Sequence, residues 1–116
     1  APQKDINFPG GDIEFTISHD DLMGLQKAAA IYSLTDLLFS SRDGKICLKL
    51  VDSENATSHD YEQDVKGETT GDYDLTVKID HIRLLPGDYQ VKVSKHLVSE
   101  WQHTSLDLTY YIALEP

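Results

Sequence analysis

The sequence predicts an α+β domain in which a single amphipathic helix lies across a sheet of antiparallel strands. Apolar residues alternate along most of the chain, as in Ile13, Phe15 and Ile17 and again in Tyr73, Leu75, Val77 and Ile79. That is the period of a half-buried strand. One run, Leu22, Leu25, Ala29 and Tyr32, has the spacing of a helix instead. The chain closes on an apolar Tyr110-Tyr111-Ile112-Ala113-Leu114, which something has to cover because termini fray unless docked.

Each element follows from its own residues. Ala1 to Gly11 holds two prolines and two glycines and reads as a linker. Asp12 to Ser18 alternates as the first strand. Ser18 then caps a helix, with Asp20 and Asp21 at the positive end of its dipole, and the helix runs to near Ile31. Leu37 to Ser41 and Lys45 to Val51 flank Arg42-Asp43-Gly44, a hairpin signal that puts Ile46, Leu48 and Leu50 on one face and Cys47 on the other. Asp60 to Glu68 is charged apart from Tyr61 and Val65, which suits an edge strand. Asp72 to Ile79 is a further strand, and Asp80 to Leu85 forms one short helical turn that Pro86 ends. Tyr89 to Val93, Leu97 to His103 and Leu106 to Leu114 complete the sheet. No sequence repeat is visible.

Composition narrows the function. A chain of 116 residues makes one domain able to bury roughly two-thirds of its unfolded surface. Its 20 acidic and 10 basic residues give a net charge of -10, so any role on nucleic acid has to depend on a local basic patch or on topology, not on overall attraction. No apolar run is long enough to span a bilayer, and no signal-peptide pattern opens the chain. The single Cys47 cannot form an internal disulfide and points to a reducing cytoplasm.

Patterns that could carry chemistry are few. Ser18-His19-Asp20 and Ser58-His59-Asp60 share the residue types of a catalytic triad, but neighbouring side chains diverge and cannot build one. Asp52, Glu54, Asn55, Asp60, Glu62 and Asp64 form an acidic cluster without the glycine and glutamate spacing of a calcium loop. Asn55-Ala56-Thr57 is a glycosylation acceptor by sequence alone. Neither HExxH nor CxxC is present, and no glycine-rich phosphate loop occurs. The expectation is a domain that is not an enzyme, with no cofactor and no metal.

Four motifs in order carry a resemblance: Ile6-Asn7-Phe8-Pro9; Asp21-Leu22 with Leu25; Gly44-Lys45-Ile46; and Pro86-Gly87-Asp88-Tyr89, followed by the closing Tyr110 to Leu114. Together they resemble the C-terminal domain of the DNA sliding clamps of T-even-type bacteriophages, the processivity factors of replicative polymerases. The resemblance implies helices packed across a curved, largely antiparallel sheet. It also implies a division into a linker remnant at 1–11 and a clamp C-terminal domain at 12–116, with the N-terminal domain outside this chain. The cytoplasm of an infected bacterial host is the expected location.

Three surfaces follow from that resemblance. Lys27, His81 and Arg83 match positions that face double-stranded DNA without reading its sequence. The run Lys27-Ala28-Ala29-Ala30 is poorer in positive charge than the family's usual helix, so direct affinity is expected to be weak. Ile6, Phe8, Pro86, Tyr111, Ile112, Ala113 and Leu114 match a pocket for short apolar motifs of the replicative DNA polymerase and the clamp loader. Tyr61, Gln63, Val65 and Lys66 match the edge that joins subunits into a homotrimer in the full-length protein. No membrane partner is expected. The alternatives are a non-enzymatic β-rich protein-binding module unrelated to replication, which leaves the helix unexplained, and a metal-dependent hydrolase built on the acidic loop.

Overall fold

The structure, a computed structural model, describes residues 8–52 and 61–116. It corrects the expected architecture. Of the described residues 50% are strand and 17% helical, and the strands form two antiparallel sheets instead of one sheet crossed by helices. Among the described residues there is one α-helix, α1 (His19–Tyr32), and the anticipated second helix shrinks to a three-residue 3-10 turn, Ile79–His81. The strands are β1 (Ile13–Ile17), β2 (Asp36–Arg42), β3 (Lys45–Val51), β4 (Tyr61–Val65), β5 (Gly67–Thr69), β6 (Tyr73–Lys78), β7 (Tyr89–Ser94), β8 (Val98–His103) and β9 (Thr109–Ala113). One sheet runs β5-β1-β7-β8-β9 and the other β4-β3-β2-β6.

Local chemistry sets the boundaries. Ser18 caps α1, its hydroxyl accepting from Asp21 N at 3.1 Å, and the Asp88 carboxylate accepts from His19 N at 2.7 Å. Both oxygens satisfy amides that a helix start leaves open. Ser33 ends α1 in a left-handed conformation, and its N–H bonds Ala29 O. Asp43 and Gly44, with φ of 55° and 80°, form the two-residue turn between β2 and β3. Positive φ at both positions marks a type I′ hairpin, whose twist matches the strands it joins.

The strand read from the sequence as Asp60 to Glu68 divides. After Val65 the chain leaves β4 and joins the other sheet as β5, opposite β1. Gly67 makes this crossing possible, because a side-chain carbon there would overlap the main chain of Glu14.

The topology contains a duplication that the sequence does not show. The order strand, helical segment, three strands occurs twice: β1-α1-β2-β3-β4, then β6, the 3-10 turn and β7-β8-β9. Each half lends its first strand to the other half's sheet, β1 beside β7 and β6 beside β2. The coverings match as well. β5 lies along β1, and Glu115 N bonds Thr76 O of β6 at 2.8 Å. Among the described residues, the outer strands of the two sheets are β5, β9, β4 and β6, and of these β6 is met by Glu115.

A single core lies between the sheets. Phe39 of β2 meets Phe15 of β1 at 5.9 Å and Trp101 of β8 at 6.4 Å between ring centres. Leu22, Leu25, Ala28 and Ala29 of α1 join the same cluster, together with Ile112 and Leu114 from the end of the chain.

Candidate functional site

Strand alternation sorts the closing segment into two faces. Tyr110, Ile112 and Leu114 point inward, and Ile112 and Leu114 are only 8% and 7% exposed. Thr109, Tyr111 and Ala113 point outward. Outward on β8, and beside them by register, lie Val98 opposite Ala113 and Glu100 opposite Tyr111. Phe8, from the segment before β1, reaches Tyr111 with ring centres 6.3 Å apart. Tyr111 donates to Glu100 Oε2 at 3.0 Å, and partial burial, then the nearby carboxylate, pushes its phenol pKa up. The result is an exposed apolar patch of Phe8, Val98, Tyr111 and Ala113 with a carboxylate at its border.

Leu97 comes just before Val98, in the turn that leads into β8. It lies in the tight turn between β7 and β8 at φ 71°, where its N–H bonds Ser94 O at 3.0 Å, and its side chain is 37% exposed. Left-handed backbone costs a leucine about 1 kcal/mol or more relative to glycine. Its carbonyl accepts from Leu114 N at 3.0 Å, which fastens the end of the chain to the same turn. A large apolar side chain kept in strained backbone and partly in water is the feature that most favours a binding role here.

The pocket expected from the sequence is only partly assembled. Phe8, Tyr111 and Ala113 share the outward patch, whereas Ile112 and Leu114 belong to the core and offer no surface to a partner. Ile6 lies outside the described residues. Pro86 stands elsewhere, in a loop tied to the inward side of the same sheet. His103 Nε2 bonds Pro86 O at 2.9 Å, Tyr110 OH accepts from Leu85 N at 3.2 Å, and Tyr89 OH donates to Leu85 O at 2.6 Å. Burial, then Tyr110, raises the Tyr89 phenol pKa. Sequence reading missed Val98 and Leu97. The signal for Val98 was parity, since it shares a face with Glu100 and Gln102.

The residues expected to face DNA are all exposed and lie on adjoining elements. Lys27 is on α1, and His81 and Arg83 are on or just after the 3-10 turn. Gln26 Nε2 bonds Ile82 O at 2.8 Å and holds the two elements side by side. Arg83 is exposed and donates from Nε to Asp80 O at 2.9 Å. Of the expected interface residues, Tyr61, Gln63 and Val65 turn toward the interior of β4 and Lys66 is exposed at its end. The free main chain of β4, more than these side chains, is what a neighbour would meet.

Other reactive groups have structural roles. Ser18 caps α1, and His19 Nδ1 accepts from Gly87 N at 3.3 Å. Ser58, His59 and the cluster members Glu54, Asn55 and Asp60 lie outside the described residues. Cys47 lines a wide groove on the outer face of β3 and β4 with Lys45, Lys49, Glu62 and Asp64. Burial, then Asp64, pushes its thiol pKa up, away from a reactive thiolate. No helix among the described residues is long and apolar enough to cross a membrane.

No protein-family model matches the chain, and none of the curated proteins matches it either.

Proposed function

We propose that this chain is a non-enzymatic binding domain that receives short apolar segments of partner proteins on the outward face of β8 and β9. More specifically, it is part of a DNA sliding clamp subunit, tethering a replicative polymerase to duplex DNA by encirclement. The observation that carries the first statement is the patch of Phe8, Val98, Tyr111 and Ala113, preceded along the chain by a part-exposed leucine, Leu97, held at positive φ. Aromatic and aliphatic groups lose water when a partner's side chain seats on them, and the acidic border discourages anionic competitors.

Three further features support the clamp reading, beside the motif resemblance. The duplicated, strand-swapped halves leave bare sheet edges, β4 and β9 among them, through which a sheet can continue into a neighbouring domain. Lys27, His81 and Arg83 are exposed on adjoining elements, α1 and the segment of the 3-10 turn. A net charge of -10 keeps phosphate contacts few, which suits sliding rather than gripping. The two-sheet architecture equally favours a β-rich protein-binding module with no role in replication. One experiment separates the two: titrating the chain with a peptide from the tail of a replicative polymerase, followed by amide NMR. The clamp reading expects shifts at Val98, Tyr111 and Ala113. No binding, or shifts confined to the α1 side, would overturn it.

A further inference from the structure

We propose that Asp36 and Glu115 form a proton-held latch, in which a protonated Glu115 donates from Oε2 to Asp36 Oδ1 and clasps the end of the chain to β6. The inference rests on geometry independent of the binding patch. Among the described residues, Asp36 Oδ1 and Glu115 Oε2 are the buried side-chain atoms left without a hydrogen-bond partner. Asp36 is 4% exposed. Two carboxylate oxygens can both accept but neither can donate, so this contact is satisfied only when a proton lies between them. The main chain sets them on either side of β6, where Glu115 N bonds Thr76 O at 2.8 Å and Asp36 of β2 faces Lys78 in register, and the two side chains meet across that strand.

The surrounding charges are few. Lys78 Nζ stands 3.5 Å from Glu115 Oε1 and favours the charged form. On the other side of Asp36, β3 presents Val51, and Asp52 beyond it already has a partner. The Asp36 carboxyl, then burial, raises the Glu115 pKa above the ordinary glutamate value, and Lys78 only partly offsets this. The docked end of the chain therefore binds its proton more tightly than the released end. Docking is strongest below the ordinary glutamate range, weakens as pH rises through the raised value, and is constant above it. Release would free the residue next to Leu114 and loosen the covering of β6.

Amide hydrogen exchange of the full chain by NMR tests the latch, with the Glu115 amide as reporter and that of Leu48 in β3 as reference. Over about pH 5 to 8, corrected for intrinsic catalysis, protection of Glu115 should fall about tenfold for each unit between its released and docked midpoints. Leu48 should stay unchanged. In Glu115→Gln the amide group donates permanently, so protection should be high and flat. In Lys78→Met the fall should persist with a higher midpoint. Flat protection in the native chain, a native slope in Glu115→Gln, or loss of the slope in Lys78→Met would overturn the proposal.

Discussion

Ser99 holds Trp101 in place: its hydroxyl accepts the indole N–H at 2.9 Å and donates onward to Ile112 O at 2.8 Å. Serine and tryptophan are both 0% exposed, so no water can replace the bond. Ser99→Ala leaves the indole donor buried without a partner and should cost about 1–3 kcal/mol. Urea denaturation followed by the fluorescence of Trp101, the one tryptophan, checks this directly.

The loop before β7 admits no side chain at Gly87. Its φ is 146°, and an added carbon would overlap the His103 ring. That ring fixes the loop from both nitrogens, bonding Pro86 O through Nε2 and accepting from Ser105 N and Leu106 N, each at 3.0 Å, through Nδ1. Gly87→Ala should therefore destabilise the chain by about 3 kcal/mol through strain and displacement of His103. Thermal unfolding and the His103 ring resonances are the measurements.

Inward and outward residues of the closing strand should separate folding from binding. Leu114→Asp buries an unpaired charge in the core and should cost about 3–5 kcal/mol. Tyr111→Ser, on the outward face, should change stability by less than about 1 kcal/mol while weakening a bound apolar peptide about tenfold. Leu97→Gly should gain about 1 kcal/mol in stability and lose peptide affinity. Denaturation curves paired with calorimetric titration of one peptide distinguish the three.

Arg42 and Asp74 form an ion pair beside the β2–β3 turn, and Ser40 donates to the same carboxylate at 3.0 Å. The guanidinium hydrogen bond, more than the serine, holds the Asp74 pKa below the ordinary value. The stability it contributes is thus present above the ordinary aspartate range and lost as pH falls through the lowered value. With both side chains about half in water, the effect should be small and should fade with added salt. Carboxyl NMR titration should show the Asp74 midpoint moving up in Arg42→Gln.

Local order was legible because short-range rules wrote it. Period two marked β1, β3 and β6, helical spacing with Ser18 marked α1, and Asp43-Gly44 marked the hairpin. The number of sheets was not legible, since it depends on pairings between distant segments such as Ile13 with Val93 and Leu37 with Val77. The change of sheet at Gly67 was hidden for the same reason, because only the packed neighbour Glu14 makes a glycine necessary there. The second helix failed to extend because its last residues serve other elements: Leu85 is held by Tyr89 and Tyr110, and Ile82 enters the core. At the binding face, alternation separated Tyr111 and Ala113 from Ile112 and Leu114, but only the packed sheet says which pair looks outward. Leu97 could not be found from sequence, since its strain is a property of the backbone.

The swap of first strands between the halves has a consequence for biosynthesis. On the ribosome, β1 emerges early and must wait for β7 before its ladder can close, and β8 waits for β9. Neither half is a self-sufficient folding unit, so an interrupted translation product would present bare apolar strands to proteases and chaperones.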